Sequence, residues 1–170
     1  TIGLNGVITS KTADGVAERI AYFNNRDPEA PIFIVIDDSP GGSVMAGYKI
    51  LKSMHGSKAP VYTVVKSFAA SMAACITTLS KKSFAYPNAI ILHHQLSYGA
   101  EGNLTQQQEQ NARSKQWYER IGKPVADKMG LKLEDYVKEM YKHNSDGDWE
   151  EFGDEAETAD NKCAKTTKMA

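Results

Sequence analysis

An α/β fold on a parallel sheet is predicted by three observations. Apolar runs at Ile32 to Ile36, Val61 to Val65 and Ala89 to Leu92 lack the alternation of a half-exposed strand. Helical spacing of apolar residues separates the first two. The resulting order, strand, helix, strand, implies right-handed crossovers with ligand-binding loops at the carboxyl ends of the strands. A chain of 170 residues with 41% apolar content suffices for one core, so a single domain over 1–170 is expected.

The first helix is predicted from Val16, Ile20 and Phe23, after Ser10 and Thr12 and before the breakers Asn24 to Pro28. The run Ile32 to Ile36 reads as a strand covered on both faces, and it stops at Asp37-Asp38-Ser39-Pro40-Gly41-Gly42. Val44, Tyr48, Leu51 and His55 carry the next helix, and Pro60 leads into the second strand. A small-residue helix from about Ala69 to Ser80 and a strand from Ala89 to His94 follow. A long polar helix is expected over about 104–129, with Thr105 and Gln108 as a capping box and Gly130 as its stop. Leu133, Tyr136, Val137, Met140 and Tyr141 predict a last helix, while the acidic segment from Asp146 to Asp160 has little periodicity.

Composition excludes several function classes. The 20 basic and 21 acidic residues nearly cancel, so no net field draws in nucleic acid or an anionic membrane. Cys75 and Cys163 are far apart and show no metal-ligand spacing, which points to reduced thiols and to neither a disulfide nor a zinc site. No transmembrane run or targeting segment is visible, and a cytoplasmic location is expected.

Chemistry is expected after Ile36, Val65 and Leu92, where three motifs stand. Ser39-Pro40-Gly41-Gly42 joins a strand to a helix, so its glycines can turn sharply and leave N–H groups facing an anion; the ordinary alternative is a tight turn. Around Ser71 the residues Phe68-Ala69-Ala70 and Met72-Ala73-Ala74 are mostly small, a strand-to-helix setting that can present one hydroxyl. Such a hydroxyl needs a base and fixed oxyanion donors; otherwise Ser71 is a helix cap. His93 and His94 supply the base, but neighbours on a strand face opposite ways, so only one can face Ser71. His55 and His143 have polar, helical surroundings and read as surface residues. A carboxylate must orient the imidazole, and Asp146, Asp148 and Asp154 are all candidates.

In order and spacing, Ser39-Pro40-Gly41-Gly42, Ala69-Ala70-Ser71-Met72, and His94-Gln95 with Gly102 resemble the signature of the Clp protease proteolytic subunit family, over about 32–156. The resemblance implies a Clp protease/crotonase-type fold and a serine endopeptidase cleaving peptides or unfolded proteins through an acyl-enzyme inside an oligomeric ring chamber. By motif position Ser71 is the nucleophile and His94, directly before Gln95, is the base. The oxyanion donors carry over to the Gly42 and Met72 amides. Counting back from Glu155-Ala156 gives Asp148 as the acid, with Asp146 as the alternative if Trp149 marks a local shift. No metal or cofactor is implied.

The resemblance also makes the 104–129 helix a handle through which rings stack. Its sparse Leu104, Trp117, Ile121 and Val125 would then pair with another subunit. Ser67, Phe68, Ala73 and Leu96 depart from the family pattern while staying small or apolar. Ile34, Val35 and Ile36 replace tyrosines of the family's ATPase-docking cleft, so dependence on an unfoldase is not implied, and Ala159 to Cys163 replaces the family's closing motif. Related alternatives are a phage-maturation or signal-peptide-peptidase-like protease, a crotonase-like acyl-CoA enzyme and a silent scaffold subunit. Ser71 with His94 favours the peptidase.

Overall fold

The computed structural model describes residues 1–142, 144–156 and 165–166. In chain order the elements are β1 (Ile2–Gly3), α1 (Ser10–Arg26), β2 (Ile32–Ser39), α2 (Val44–Gly56), β3 (Val61–Ala70), α3 (Met72–Leu79), β4 (Ser83–Ala85), β5 (Ile90–His93), α4 (Leu104–Met129), α5 (Leu133–Met140), β6 (Trp149–Phe152) and β7 (Lys165–Thr166). Strands β1, β2, β3, β4 and β7 form a parallel ladder in that order. The α/β architecture therefore matches the sequence expectation. His143, Asp160 and Cys163 lie outside the described residues.

Strand β3 is the organising element. Its first half, Thr63 to Val65, pairs with β4, whereas Phe68 to Ala70 pairs with β5. One edge of β3 thus serves two successive strands, and β5 in turn pairs antiparallel with β6. The acidic segment that looked unpatterned contains β6, whose Trp149 and Glu151 are buried between exposed Glu150 and Phe152. Only the partner strand makes that four-residue alternation meaningful.

The sheet is not covered equally on its two faces. Ile32, Ile34 and Ile36 are buried against Ala13, Val16 and Ile20 of α1 and Ile50 and Met54 of α2, in one core cluster. Phe33, Val35, Tyr62, Val64 and Phe84 stand half-buried on the other face. There Phe33 and Tyr62 meet edge-on at 5.7 Å, and Phe84 lies 6.5 Å from each. The expectation of a strand covered on both faces is thus corrected. Aromatic neighbours shield that face of the sheet in part, and an apolar run does not distinguish this from full burial.

One boundary, one helix cap and one strand also differ from expectation. The small-residue helix begins at Met72 because β3 continues through Ala70. Helix α4 is capped by Asn103 and Gln106, not by Thr105 and Gln108: the Asn103 side chain accepts from the Gln106 N–H, and Gln106 Oε1 accepts from the Asn103 N–H. Gly130 does end α4, in the left-handed conformation at φ 78°. The short strand β4 was not anticipated, since Ser83-Phe84-Ala85 is too brief to show a pattern.

Helix α4 has two unlike halves. Residues 104–120 include no buried side chain, while Ile121, Val125, Ala126 and Met129 are buried. Val125 and Met129 pack with Tyr136, Met140 and Trp149 in a second core cluster, and Ile121 joins the first. Ile121 and Val125 are therefore core residues of this domain, which corrects the expectation that they await another subunit. Trp117 leans on Tyr48, with ring centroids 6.3 Å apart.

The unequal faces lead to a stability prediction. Ile34 is fully buried whereas Val35 beside it is only half-buried. Ile34→Ala should cost about 2–5 kcal/mol in urea unfolding and Val35→Ala roughly 1 kcal/mol or less. Equal losses would mean that both faces are covered alike.

Candidate active site

The site is assembled where β2, β3 and β5 end. Ser71 occupies the corner between β3 and α3 with φ 55° and ψ −120°, the one non-glycine residue at positive φ among the described residues. Small Ala70 and Ala73 accompany it. Such a backbone is costly for a residue with a Cβ and is maintained by surrounding contacts. The Ser71 N–H donates to Leu92 O at 3.0 Å, which ties the corner to β5, and the Cys75 N–H donates to Ser71 O at 3.1 Å. The Ser71 side chain does not cap the helix, so the cap reading of this serine does not describe it.

The Gly41-Gly42 turn is pressed against this corner. A Cβ on Gly41 would lie 2.7 Å from Ala70 O and Ser71 Cβ, and one on Gly42 would lie 2.4 Å from Ile8 O. Both positions also have positive φ, 87° and 151°. Glycine is required at each for two reasons, conformation and space. Ile8 N–H donates to Gly41 O at 2.8 Å and Ser43 N–H to Ile8 O at 2.9 Å. The Gly42 N–H enters none of the described hydrogen bonds. Met72 begins α3, where an N–H has no acceptor within the helix.

Ser71, Met72, Gly42 and His94 line one cavity of about 280 Å³, together with Pro40, Leu96 and, on its apolar side, Tyr118 and Ile121. Cys75 also lines it; burial pushes this free thiol up to about 12, so it is a protonated wall residue and not a ready nucleophile. Chemically, the arrangement joins a hydroxyl, an imidazole and two candidate backbone donors.

The two histidines face opposite ways, as the strand argument requires. His93 is 1% exposed, hydrogen-bonded through Nδ1 to the Tyr136 hydroxyl at 2.8 Å, and packed in a three-ring cluster with Tyr136 and Trp149. Burial, with a smaller effect of nearby His94, pushes its pKa down to about 4. His94 is half-buried on the cavity, with Nδ1 against Gln95 O.

Asp148 lies just beyond the end of the β5–β6 ladder. His93 and Trp149 are the last pair of that antiparallel ladder, so His94 and Asp148 each stand one residue beyond it. Asp148 is half-buried, whereas Asp146 and Asp154 are exposed. Among the described residues no hydrogen bond or ion pair joins His94 to a carboxylate: its Nδ1 is engaged by Gln95 O. Sequence reasoning missed Tyr136 and Tyr141. The Tyr141 O–H donates to Gln95 Oε1 at 2.6 Å, and its spacing from Tyr136 had signalled only a helix face. No group of three or more His, Cys, Asp or Glu suited to a metal occurs among the described residues. Nor do they include a helix long and apolar enough to cross a membrane.

The neutral state of His93 sets a pH dependence. Its folded value lies below the ordinary 6.5, so the unfolded chain binds the extra proton first, and stability falls as pH drops from about 6.5 to about 4. The contribution approaches about 1.4 kcal/mol per pH unit within that window. His93→Leu should flatten the fall when urea midpoints are compared across this range. Parallel curves would exclude His93 as the buried titrating group.

Comparison with known proteins adds the lineage. The family model described as Clp protease matches residues 1–146, ending two residues before Asp148. The chain is 32% identical over 145 residues to the ATP-dependent Clp protease proteolytic subunit of Ligilactobacillus salivarius (strain UCC118), a span covering 84% of this chain and 73% of that protein.

Proposed function

Because this chain belongs to the Clp protease family, a lineage of peptidases, we propose that it is a serine endopeptidase with Ser71 as nucleophile, His94 as general base and Asp148 as orienting acid. The observation that carries this reading is the strained Ser71 corner sharing one cavity with His94, Gly42 and Met72.

Ser71 Oγ attacks the scissile carbonyl as His94 takes its proton, giving a tetrahedral oxyanion held by the Gly42 and Met72 N–H groups. Collapse expels the amine, which receives the proton from His94, and leaves an acyl group on Ser71. Water, deprotonated by His94, then attacks the ester; the bond from the acyl carbon to Ser71 Oγ breaks as His94 returns the proton to Oγ, and the carboxylic acid product leaves. Loss of one oxyanion donor in such chemistry costs about a hundredfold to a thousandfold in rate. The Asp148 carboxylate would stabilise the imidazolium, which requires His94 Nδ1 to exchange Gln95 O for that carboxylate. The register of Asp148 and its partial burial favour it over Asp146.

The substrate would be an extended peptide or unfolded protein entering a chamber of stacked rings. Residues 104–120 would form the handle through which rings meet, a role supported by the absence of buried side chains there. The relative's name attaches ATP dependence to that protein. For this chain an ATPase partner is not implied by the residues Ile34, Val35 and Ile36.

Ser71→Ala should abolish peptide cleavage and labelling by a fluorophosphonate; retained activity with labelling elsewhere would falsify the nucleophile. Asp148→Asn should slow acylation by about a hundredfold or more, whereas Asp146→Asn stays within a few-fold. Reversed effects would move the acid to Asp146. For assembly, light scattering on Leu104→Glu/Trp117→Glu should show smaller species than the parent, with peptidase turnover reduced on the same samples. A parent that is monomeric and fully active would sink the ring reading.

A further inference from the structure

Helix α5 and its C-cap contribute two tyrosines that hold the residues on both sides of both proposed catalytic partners. Tyr136 is hydrogen-bonded to His93, directly before His94, and Tyr141 donates to Gln95, directly after it. The same rings meet the two neighbours of Asp148. The Tyr136 ring lies 6.2 Å from that of Trp149, directly after Asp148. Tyr141 covers Gly147, directly before it, so closely that a Cβ on Gly147 would lie 2.6 Å from Tyr141 Cζ. Four neighbours of two residues thus meet two side chains that lie five residues apart in the chain.

We infer that Tyr136 and Tyr141 are positioning residues that hold His94 and Asp148 at one register. This inference rests on the assignment of those two residues proposed above. The physical need is plain at this point in the fold. Strand β5 ends at His93 and β6 begins at Trp149, so neither His94 nor Asp148 belongs to a strand of the sheet. Asn144 holds the Asp148 backbone, accepting from its N–H at 3.1 Å and donating to its carbonyl at 3.0 Å, but among the described residues no hydrogen bond sets Asp148 against His94. The β5–β6 ladder alone fixes residues as far as the His93 and Trp149 pair. The tyrosines extend that constraint by one residue on each strand. Tyr136 works from the buried side, at 2% exposure, and Tyr141 from the surface, at 46%. Both hydroxyls bind neighbours of His94, so neither is required to touch substrate for the clamp to act, although Tyr136 also lines the cavity.

A misplacement of about 1 Å can cost on the order of a hundredfold in rate, so partial release of the clamp should lower turnover without weakening substrate binding. The test uses the full chain with Tyr136→Phe, Tyr141→Phe and both together. These substitutions keep the rings and remove only the hydroxyls. Active sites are first counted by stoichiometric labelling with a fluorophosphonate, so that turnover refers to folded enzyme. For each single variant kcat per titrated site and the second-order labelling rate should fall together by about tenfold, with KM within about twofold, and the double variant should fall further. Parent-like kcat and labelling rate in the double variant would overturn the clamp. A raised KM with unchanged kcat would overturn it too, by making Tyr136 a substrate contact. Ser71→Ala is run alongside. If that variant keeps its peptidase activity, the assignment of the site fails and the clamp fails with it; if it is inactive while the tyrosine variants match the parent, only the clamp is lost.

Discussion

The close approach of three backbone segments underlies the arrangement of the site. The chain at Ile8, the Gly41-Gly42 turn and the Ala70–Met72 corner come so near that no side chain fits at either glycine. Hydrogen bonds from Ile8 to Gly41 and from Ser43 to Ile8 fix the first contact, and the Ser71 N–H fixes the corner to Leu92. Because β3 pairs with both β2 and β5, the strand ends that lead to Gly42, Ser71 and His94 are held in one sheet. A backbone held this rigidly can keep Ser71 at positive φ beside the cavity that Gly42 and Met72 also line.

The second core cluster answers a different need. The first cluster stabilises the sheet on its helix-covered face, but the residues opposite β5 come from a distant part of the chain. Val125, Met129, Tyr136, Met140 and Trp149 gather α4, α5 and β6 into one apolar body, with Cys75 and Leu79 of α3 touching both clusters. Helix α3 therefore links the serine corner to the segment that carries Asp148. His93 belongs to this body and not to the cavity: neutral and enclosed by Tyr136 and Trp149, it serves packing while its neighbour faces the cavity.

The division of α4 shows how one helix can hold two environments. Its second half is bound into the core by Val125 and Met129, while its first half depends on a capping box at Asn103 and Gln106 and on local polar contacts. Mean polarity over 26 residues hides this division. Isolated polar helical segments are marginal in water, so the capping box and the Trp117–Tyr48 contact matter to this half.

Much of this was legible in the chain itself. Apolar runs separated by helical spacing determined the α/β class, because burial in a parallel sheet demands such runs. The Pro-Gly-Gly turn, the small residues around Ser71 and the His-His pair located the candidate chemistry, since each needs a particular backbone or proton-transfer property that few residue types supply. Local rules failed where partners were distant. Strand β6 is four residues long and has meaning only beside β5, and the cap of α4 competed with an equally plausible box two residues later. Composition left Asp146, Asp148 and Asp154 equivalent as carboxylates and the family resemblance pointed to Asp148; the structure adds that Asp148 adjoins the last ladder pair, His93 and Trp149, and is half-buried where the other two are exposed. The same holds for Tyr136 and Tyr141. Their spacing placed both on one predicted helix, which in the structure ends at Met140 and leaves Tyr141 as its C-cap, and which residues their hydroxyls meet depends on long-range packing, because a side chain's contacts follow from the neighbours the fold brings there.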